Sequence, residues 1–244
     1  MLELRQPATS LTVGQLAAGP VLIVAPHADD ETLACGGLIA QLGAAGQAYA
    51  VALVSDGTGS HPRSRTHNAA QRRAVREAEL VEALGILTDG HAPPVHFLRF
   101  PDTRVPRRGQ HRFGTLVQAI DQLLRRYRPA TVVSPWRRDP HGDHRATTEA
   151  VLAALAATNN GTDLLEYPVW VYEIAESGDA PRTGEVQCLA LDVRAQLPLK
   201  KRAIRAHRSQ LDRRVFDDPD GFCLTESMLS HFDRPHEYYY RYPS

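Results

Sequence analysis

Residues 21–31, VLIVAPHADDE, join an unbroken apolar run to a proline and a cluster of charged side chains. A run without alternation of apolar and polar residues is typical of a strand buried on both faces of a sheet. A helical pattern follows this stretch, and further apolar runs and helical patterns alternate after it. The predicted strands lie at 48–55, 95–100 and 130–134, and the predicted helices at 32–44, 68–84, 115–127 and 145–157.

This alternation predicts the fold class α/β, with a Rossmann-like, doubly wound, mostly parallel sheet and helices on both faces. Gly85 is expected to end the second helix, because glycine commonly follows the last helical residue. Later segments predict strands at 164–174 and 187–193 and a basic helix at 198–210. We expect the tyrosine-rich C-terminus to pack onto the domain.

No internal repeat or linker divides the chain, so a single domain over residues 1–244 is predicted. Its core spans about residues 20–210, and residues 211–244 form a C-terminal extension. The chain carries 28 basic and 28 acidic side chains, and a net charge of zero argues against bulk attraction to nucleic acid or to anionic membranes.

The longest apolar run, residues 16–25, has about half of the roughly twenty residues that a membrane span needs. Three cysteines without a Cys-x-x-Cys spacing give no disulfide framework, and the first residues lack the basic and apolar regions of a signal peptide. These observations predict a cytoplasmic protein without a membrane span. They leave the oligomeric state open.

A second cluster of polar side chains, WRRDPHGDH at residues 136–144, follows the fourth predicted strand. If the winding of the sheet reverses after the third strand, the first and fourth strands are neighbours. The crevice between their carboxyl ends is where doubly wound folds bind ligands. We therefore expect residues 27–31 and 136–144 to meet at one site.

His27, Asp30 and His144 form a set of two histidines and one carboxylate. Catalytic zinc sites use three protein ligands and leave one position to water, whose pKa the metal lowers to about 7. The set predicts a Zn²⁺ site, with another divalent metal such as Fe²⁺ as an alternative. Asp29, beside the ligand Asp30, is the candidate general base that removes a proton from that water.

His141 and Asp143 complete the predicted catalytic group. His141 could face the substrate and, as an imidazolium, stabilise a developing oxyanion. Asp143 could orient one of the histidines. Aspartates at predicted helix starts are also ordinary N-caps, but a cap explains one carboxylate per helix and not Asp29 and Asp30 together after a histidine.

Residues 26–31 resemble the Pro/His-x-Asp-Asp-Glu signature of the PIG-L (LmbE-like) zinc deacetylases, and residues 141–144 resemble their second motif, His-x-Asp-His. The resemblance extends over about residues 20–240. It implies hydrolysis of an N-acetyl group, typically on a glucosamine unit, so the expected partner is an N-acetylated sugar or sugar conjugate. Further similar segments are CGG at 35–37, SDG at 55–57, RRAVRE at 72–77, EYPVW at 166–170, HRSQ at 207–210 and RPHE at 234–237.

The resemblance implies the same ligands, base and oxyanion partner as the residues themselves suggest. It adds Arg76 and Asp102, which occupy positions where members of the family contact the sugar. Some members have a tyrosine shortly before the second motif that polarises the substrate carbonyl. This chain has Asp139 two residues before His141. If the substrate carbonyl is polarised, a group other than that tyrosine must do it. His207, on the predicted basic helix, is expected to be a packed or capping histidine.

Other functions compete with deacetylation. The same site could hydrolyse another small amide. Two histidines and one carboxylate also describe the facial triad of non-haem iron oxygenases, although such enzymes do not require a base like Asp29. Dinucleotide binding would need a glycine-rich turn after the first strand, where this chain has carboxylates that repel phosphate. A non-catalytic sugar-binding relative would be expected to have lost part of the metal set.

Overall fold

The structure is a computed structural model that describes residues 8–16, 18–158, 161–174, 176, 178–212 and 215–243. Its strands are β1 (Thr9–Leu11), β2 (Val21–Ala25), β3 (Tyr49–Ser55), β4 (Val95–Phe100), β5 (Thr131–Pro135), β6 (Asp163–Tyr167), β7 (Gln187–Asp192) and β8 (His236–Arg241). Its helices are α1 (Val13–Leu16), α2 (Asp30–Ala44), α3 (Ala69–Leu87), α4 (Phe113–Tyr127), α5 (Gly142–Thr158), α6 (Val171–Ile174), α7 (Leu197–Ile204), α8 (Arg208–Leu211) and α9 (Glu226–Phe232).

The strands form one eight-stranded sheet in the order β1-β7-β8-β6-β5-β2-β3-β4. Strand β2 pairs in parallel with β3 on one side and with β5 on the other, and Val21 lies opposite both Tyr49 and Thr131. The first and fourth predicted strands are therefore neighbours, as the expected reversal of winding requires. The predicted α/β class with a mostly parallel sheet is confirmed.

Helices cover both faces of this sheet, which explains why the central strand is apolar along its whole length. In β2, Val21 and Ile23 pack into a core that includes side chains of α2 and α3. Leu22 and Val24 face the other side, where they pack with side chains of α4 and α5. A strand buried on both faces cannot alternate apolar with polar residues, and β2 is buried at every position.

Several predicted boundaries are wrong, and the packing explains the largest differences. Helix α3 continues through Gly85 to Leu87, because Leu87 extends the buried apolar stripe and Thr88 Oγ1 caps the carbonyl of Leu84. The predicted strand 164–174 ends at residue 167, before Pro168, which cannot donate a ladder hydrogen bond, and the chain then turns into α6.

The predicted helix 198–210 is divided into α7 and α8. The break lies at His207, whose ψ of 55° is not helical and whose Nε2 contacts the hydroxyl of Thr32 on α2. The chain bends where His207 contacts Thr32. The basic helical pattern in the sequence does not indicate this bend.

The C-terminal residues belong to the sheet. Strand β8 lies between β6 and β7 and is antiparallel to both. Glu237 on β8 accepts the backbone N–H groups of Gly37 and Leu38 and forms a buried ion pair of 2.7 Å with Lys200. The C-terminal strand thus holds helix α2, whose first turn carries Asp30. Within the described residues no helix is long and apolar enough to cross a membrane.

Candidate active site

A cleft with a volume of about 210 Å³ opens where strands β2 and β5 end. Both motifs contribute to it, as expected for neighbouring strands whose carboxyl ends lie at one edge of the sheet. Its polar lining includes His27, Asp29, Asp30, Arg76, Asp102 and His141. Asp143 and His144 lie behind these residues on α5 and contact them.

Three histidines meet at the floor of the cleft. Ligand nitrogens of His27, His141 and His144 all lie within 4.8 Å of one another. The Asp30 carboxylate joins two of them, because its Oδ2 lies 3.2 Å from His27 Nδ1 and 3.2 Å from His144 Nε2. The structure therefore brings together His27, Asp30 and His144, and it adds His141 to the same group.

These residues suit a divalent metal ion. His144 is fully buried, and neither of its ring nitrogens forms a well-aligned hydrogen bond within the described part of the chain. Buried polar atoms in proteins usually form well-aligned hydrogen bonds, and imidazole nitrogens with a carboxylate are ligands that Zn²⁺ prefers. A second group that could hold a metal combines His27 with Asp102 and Asp143.

Interactions at the cleft floor raise the pKa of His27 and lower that of Asp30. Burial would lower the pKa of His27, but hydrogen bonds with Asp102, Asp143 and Asp30 raise it well above its usual value. Burial would raise the pKa of Asp30, but His144 and His27 hold it far below the usual range. The carboxylate of Asp30 is therefore ionised and available as a ligand.

Asp29 combines an unusual backbone conformation with a carboxyl group whose pKa is raised. Its φ is 143°, a value that residues with a side chain rarely adopt. Arg76 Nη2 lies 3.3 Å from Asp29 Oδ2. Burial raises the pKa of Asp29 to about 7, and the charge of Arg76 opposes that rise. A carboxyl group with a pKa near neutrality can both accept and return a proton.

His141 is a neutral imidazole in this environment. Burial, together with the charges of His27 and His144, lowers its pKa to about 3. The backbone N–H of Asp143 donates to His141 Nδ1 at 3.2 Å, so the ring proton resides on Nε2. The lowered pKa favours a neutral donor over the imidazolium expected from the sequence, and the role of His141 in stabilising an oxyanion stays a prediction.

Asp143 connects the second motif to the first motif and to a loop at the rim. Its Oδ2 lies 3.0 Å from His27 Nε2 and accepts the backbone N–H of Thr103, and its Oδ1 accepts that of Val105. This geometry suits the predicted orienting role, and the oriented histidine is His27. The same carboxylate also anchors the loop that carries Asp102.

Arg76 and Asp102 are buried, at 4% and 6% exposure, beside the cleft floor. Arg76 donates to the carbonyl oxygen of Ala28, and Asp102 Oδ1 lies 3.3 Å from His27 Nε2. Asp102 Oδ2 also accepts the backbone N–H of Gly59. The protein itself already engages both side chains, although each still borders the cleft.

Asp139 is an organising residue of the site that is not among the predicted site residues. Its Oδ2 accepts the backbone N–H groups of Val169 and Trp170, and its Oδ1 accepts that of His141 and lies 3.3 Å from His144 Nδ1. The signal in the sequence was its place two residues before His141, within the second cluster of polar side chains.

An apolar wall faces the charged floor of the cleft. It consists of Leu33, Trp170, Phe222, Leu224 and Met228. Trp170 stacks on His141, with ring centroids 5.8 Å apart, and the last three residues come from the C-terminal part of the chain. Trp170 lies in the EYPVW segment at 166–170, but no motif marks Phe222, Leu224 and Met228, because their role depends on where the C-terminal segment folds back.

A family model described as "GlcNAc-PI de-N-acetylase" (PIG-L) matches residues 22–155. The chain belongs to the PIG-L family. The family resemblance read from the two motifs is confirmed, and with it the expected class of enzyme, a deacetylase that hydrolyses an amide bond. The matched range contains every residue predicted for the site.

Two relatives of the PIG-L type cover most of the chain. Diacetylchitobiose deacetylase of Thermococcus kodakarensis is 27% identical over 85% of this chain and 76% of that protein. The 1D-myo-inositol 2-acetamido-2-deoxy-alpha-D-glucopyranoside deacetylase of Nocardia farcinica is 28% identical over 80% of this chain and 81% of that protein. These relatives favour the hydrolase over the iron oxidoreductase.

Solved structures of PIG-L deacetylases share the fold. The N,N'-diacetylchitobiose deacetylase of Pyrococcus horikoshii has a TM-score of 0.64 and 22% identity, covering 81% of this chain and 72% of that one. The zinc-inhibited form of teicoplanin deacetylase has a TM-score of 0.67 and 18% identity, covering 91% and 97%. At these identities the likeness concerns the fold.

Proposed function

We propose that this protein is a metal-dependent de-N-acetylase that hydrolyses the acetamido group of an N-acetylglucosamine-type substrate to acetate and a free amine. One observation carries the proposal. The Asp29 carboxyl group, with a pKa of about 7, shares the cleft floor with the convergent side chains of His27, Asp30 and His144.

His27, Asp30 and His144 would hold the metal, and Zn²⁺ fits this donor set best, with Fe²⁺ as the alternative. When bound, the divalent ion makes a water molecule acidic enough to lose a proton near neutral pH. Asp29 accepts that proton as the water oxygen attacks the acetamide carbon. The developing negative charge on the carbonyl oxygen receives a hydrogen bond from His141 Nε2–H.

The C–N bond breaks in the second half of the reaction, and the amine must leave with an added proton. Protonated Asp29 returns its proton to the leaving nitrogen, which restores the ionised base. The neutral His141 keeps its own proton throughout, because Nδ1 already accepts the backbone N–H of Asp143. Proton transfer by a positioned carboxyl group typically contributes about 10²–10⁴-fold to a rate.

The lining of the cleft supports an amino sugar or its conjugate as the substrate. A pyranose ring has an apolar face, which would pack against Trp170 and Phe222, and polar edges, which would face Arg76 and Asp102. His141, which stacks on Trp170, would then lie beside the acetamido group. This position lets it replace the tyrosine of some relatives as the group that polarises the carbonyl.

The test measures acetate release from N-acetylglucosamine, N,N'-diacetylchitobiose and 1D-myo-inositol 2-acetamido-2-deoxy-alpha-D-glucopyranoside, with and without a chelator. We expect release from at least one compound that stops with chelator and returns with Zn²⁺. The absence of chelator-sensitive release from all three would refute the proposal for N-acetylglucosamine-type substrates. Release from simple amides alone would favour another amide hydrolase, and oxygen consumption with a co-substrate would favour the iron oxidoreductase.

A further inference from the structure

The backbone of Asp29 is held in its unusual conformation from both sides. Its φ and ψ are 143° and −33°, a region that disfavours residues with a side chain. The Asp29 carbonyl oxygen accepts the N–H groups of Thr32 and Leu33, while its own N–H donates to Glu31 Oε2 at 3.1 Å. Strained residues persist only where their surroundings hold them, and here Glu31 supplies that restraint.

Glu31 is in turn held by two buried side chains. Its Oε1 accepts the hydroxyl of Thr32 at 2.5 Å and lies 3.4 Å from His207 Nε2. Because the Thr32 hydroxyl gives its proton to Glu31, its oxygen accepts from His207 Nε2 at 3.1 Å. His207 therefore donates toward Thr32 and Glu31.

His207 reaches this position from outside the range of the family model. It follows α7, which packs against α2 and α3, and only 1% of the residue is exposed. Buried polar groups need hydrogen-bonding partners, and Thr32 and His207 supply them to Glu31 Oε1. Burial would lower the pKa of His207, but Glu31, Asp29 and Glu79 together raise it.

The unusual φ of Asp29 determines how its side chain is directed relative to that of Asp30. Successive residues of a helix point about 100° apart, so Asp29 and Asp30 would diverge if the helix began one residue earlier. With φ at 143°, both side chains line the same cleft. Asp30 can then serve as a metal ligand while Asp29 faces the attacking water.

We propose that Glu31 and His207 are positioning residues that hold the Asp29 backbone in the conformation that directs its carboxylate into the cleft. The proposal rests on the proposed function, since it assigns the base to Asp29. It gives a task to the HRSQ segment at 207–210, which brings the imidazole of His207 against α2.

The test compares His207→Leu, which removes the donor, with His207→Gln, which keeps an N–H donor. We expect kcat for acetate release to fall by about 10²-fold in His207→Leu, with KM and bound Zn²⁺ unchanged, because a misplacement of about 1 Å can cost that much. His207→Gln should recover most of the rate. The matched control is His96→Leu, whose histidine pairs with Tyr127 away from the cleft and should leave kcat unchanged.

A crystal structure of each variant supplies a readout that does not need activity. In His207→Leu the φ of Asp29 should leave the region near 143° that it occupies here. If His207→Leu does not fold, Glu31→Gln decides, because it keeps the size of the side chain but removes the charge that pairs with His207. The same fall in kcat at unchanged Zn²⁺ content is expected.

Three results would overturn the proposal: wild-type kcat in the deciding variant, an Asp29 φ that stays unchanged, or a loss of Zn²⁺ that accounts for the lost rate. The failure of the proposed function looks different. Wild-type protein would then release no acetate in a chelator-sensitive manner, while the φ of Asp29 in the variants would still report whether His207 and Glu31 hold it.

Discussion

Replacing Arg76 with glutamine should move the acidic limb of the pH–rate profile to higher pH. The proposed base, Asp29, works only when ionised, and the Arg76 guanidinium lies 3.3 Å from its carboxylate. Burial raises the pKa of Asp29 to about 7, and Arg76 is the largest influence that opposes this rise. Without the guanidinium, Asp29 holds its proton to higher pH, and activity on the acidic side falls.

The magnitude follows from the charge and the burial of the pair. An opposite charge this close lowers the pKa of a carboxyl group by about 1–3 units, and each unit corresponds to about 1.4 kcal/mol. The two side chains are only 4% and 7% exposed, so salt screens their interaction weakly. We expect the midpoint of the acidic limb to rise by at least about 1 pH unit, to about 8 or higher.

The assay is kcat/KM for acetate release as a function of pH, with the metal saturating. The metal ion affects the pH–rate profiles of wild type and Arg76→Gln alike. The difference between the two profiles is therefore the quantity to measure. Arg72→Gln is the matched control, since Arg72 lies one turn earlier on α3, is also buried and donates to the carbonyl oxygens of Thr58 and His67. An Arg76→Gln limb that coincides with the wild-type limb would refute the reasoning.

The remaining predictions concern turnover and stability. Asp29→Ala should lower turnover by about 10²–10⁴-fold while bound Zn²⁺, measured by elemental analysis, stays unchanged. Lys200→Met leaves the Glu237 carboxylate buried without its cation and should cost about 3–5 kcal/mol in urea denaturation. Gly37→Ala would place a methyl group against the Val193 side chain and should destabilise by about 1–3 kcal/mol in the same measurement.

Each stability prediction has a matched control. Lys201→Met breaks a more exposed ion pair with Asp233 and should cost about 1 kcal/mol or less. Gly85→Ala adds a methyl group in open space on helix α3 and should be neutral or stabilise by up to about 1 kcal/mol. Equal effects of Lys200→Met and Lys201→Met, or of the two glycine substitutions, would contradict the packing described here. A near-normal rate in Asp29→Ala would disprove the base assignment.

Much of the fold could be predicted because it follows from short-range patterns. The apolar run at 21–25 predicts a strand buried on both faces, and its pairing with Thr131 on β5 follows from the winding rule for parallel sheets. The place of β8 could not be predicted. An antiparallel strand between β6 and β7 depends on which edges the rest of the chain leaves free, and its own residues do not carry that information.

Part of the candidate site could likewise be predicted from the sequence, and part could not. His27, Asp30 and His144 could be named as candidate metal ligands from residue type and spacing, since metal ligation demands particular donor atoms. The neutral state of His141 could not be predicted, because it follows from burial and neighbouring charges. The burial of Arg76 against Asp29 likewise appears only when α3 packs beside the first motif.

The sequence alone was enough to establish the α/β class, the neighbouring strands β2 and β5, the two motifs and the PIG-L resemblance, because periodicity and donor chemistry are properties of short segments. Tertiary structure was needed for the φ of Asp29, the neutral His141 and the contact between His207 and Thr32, which are 175 positions apart. These features depend on contacts between distant segments, and the most stable combination of such contacts emerges only when the whole chain packs at once.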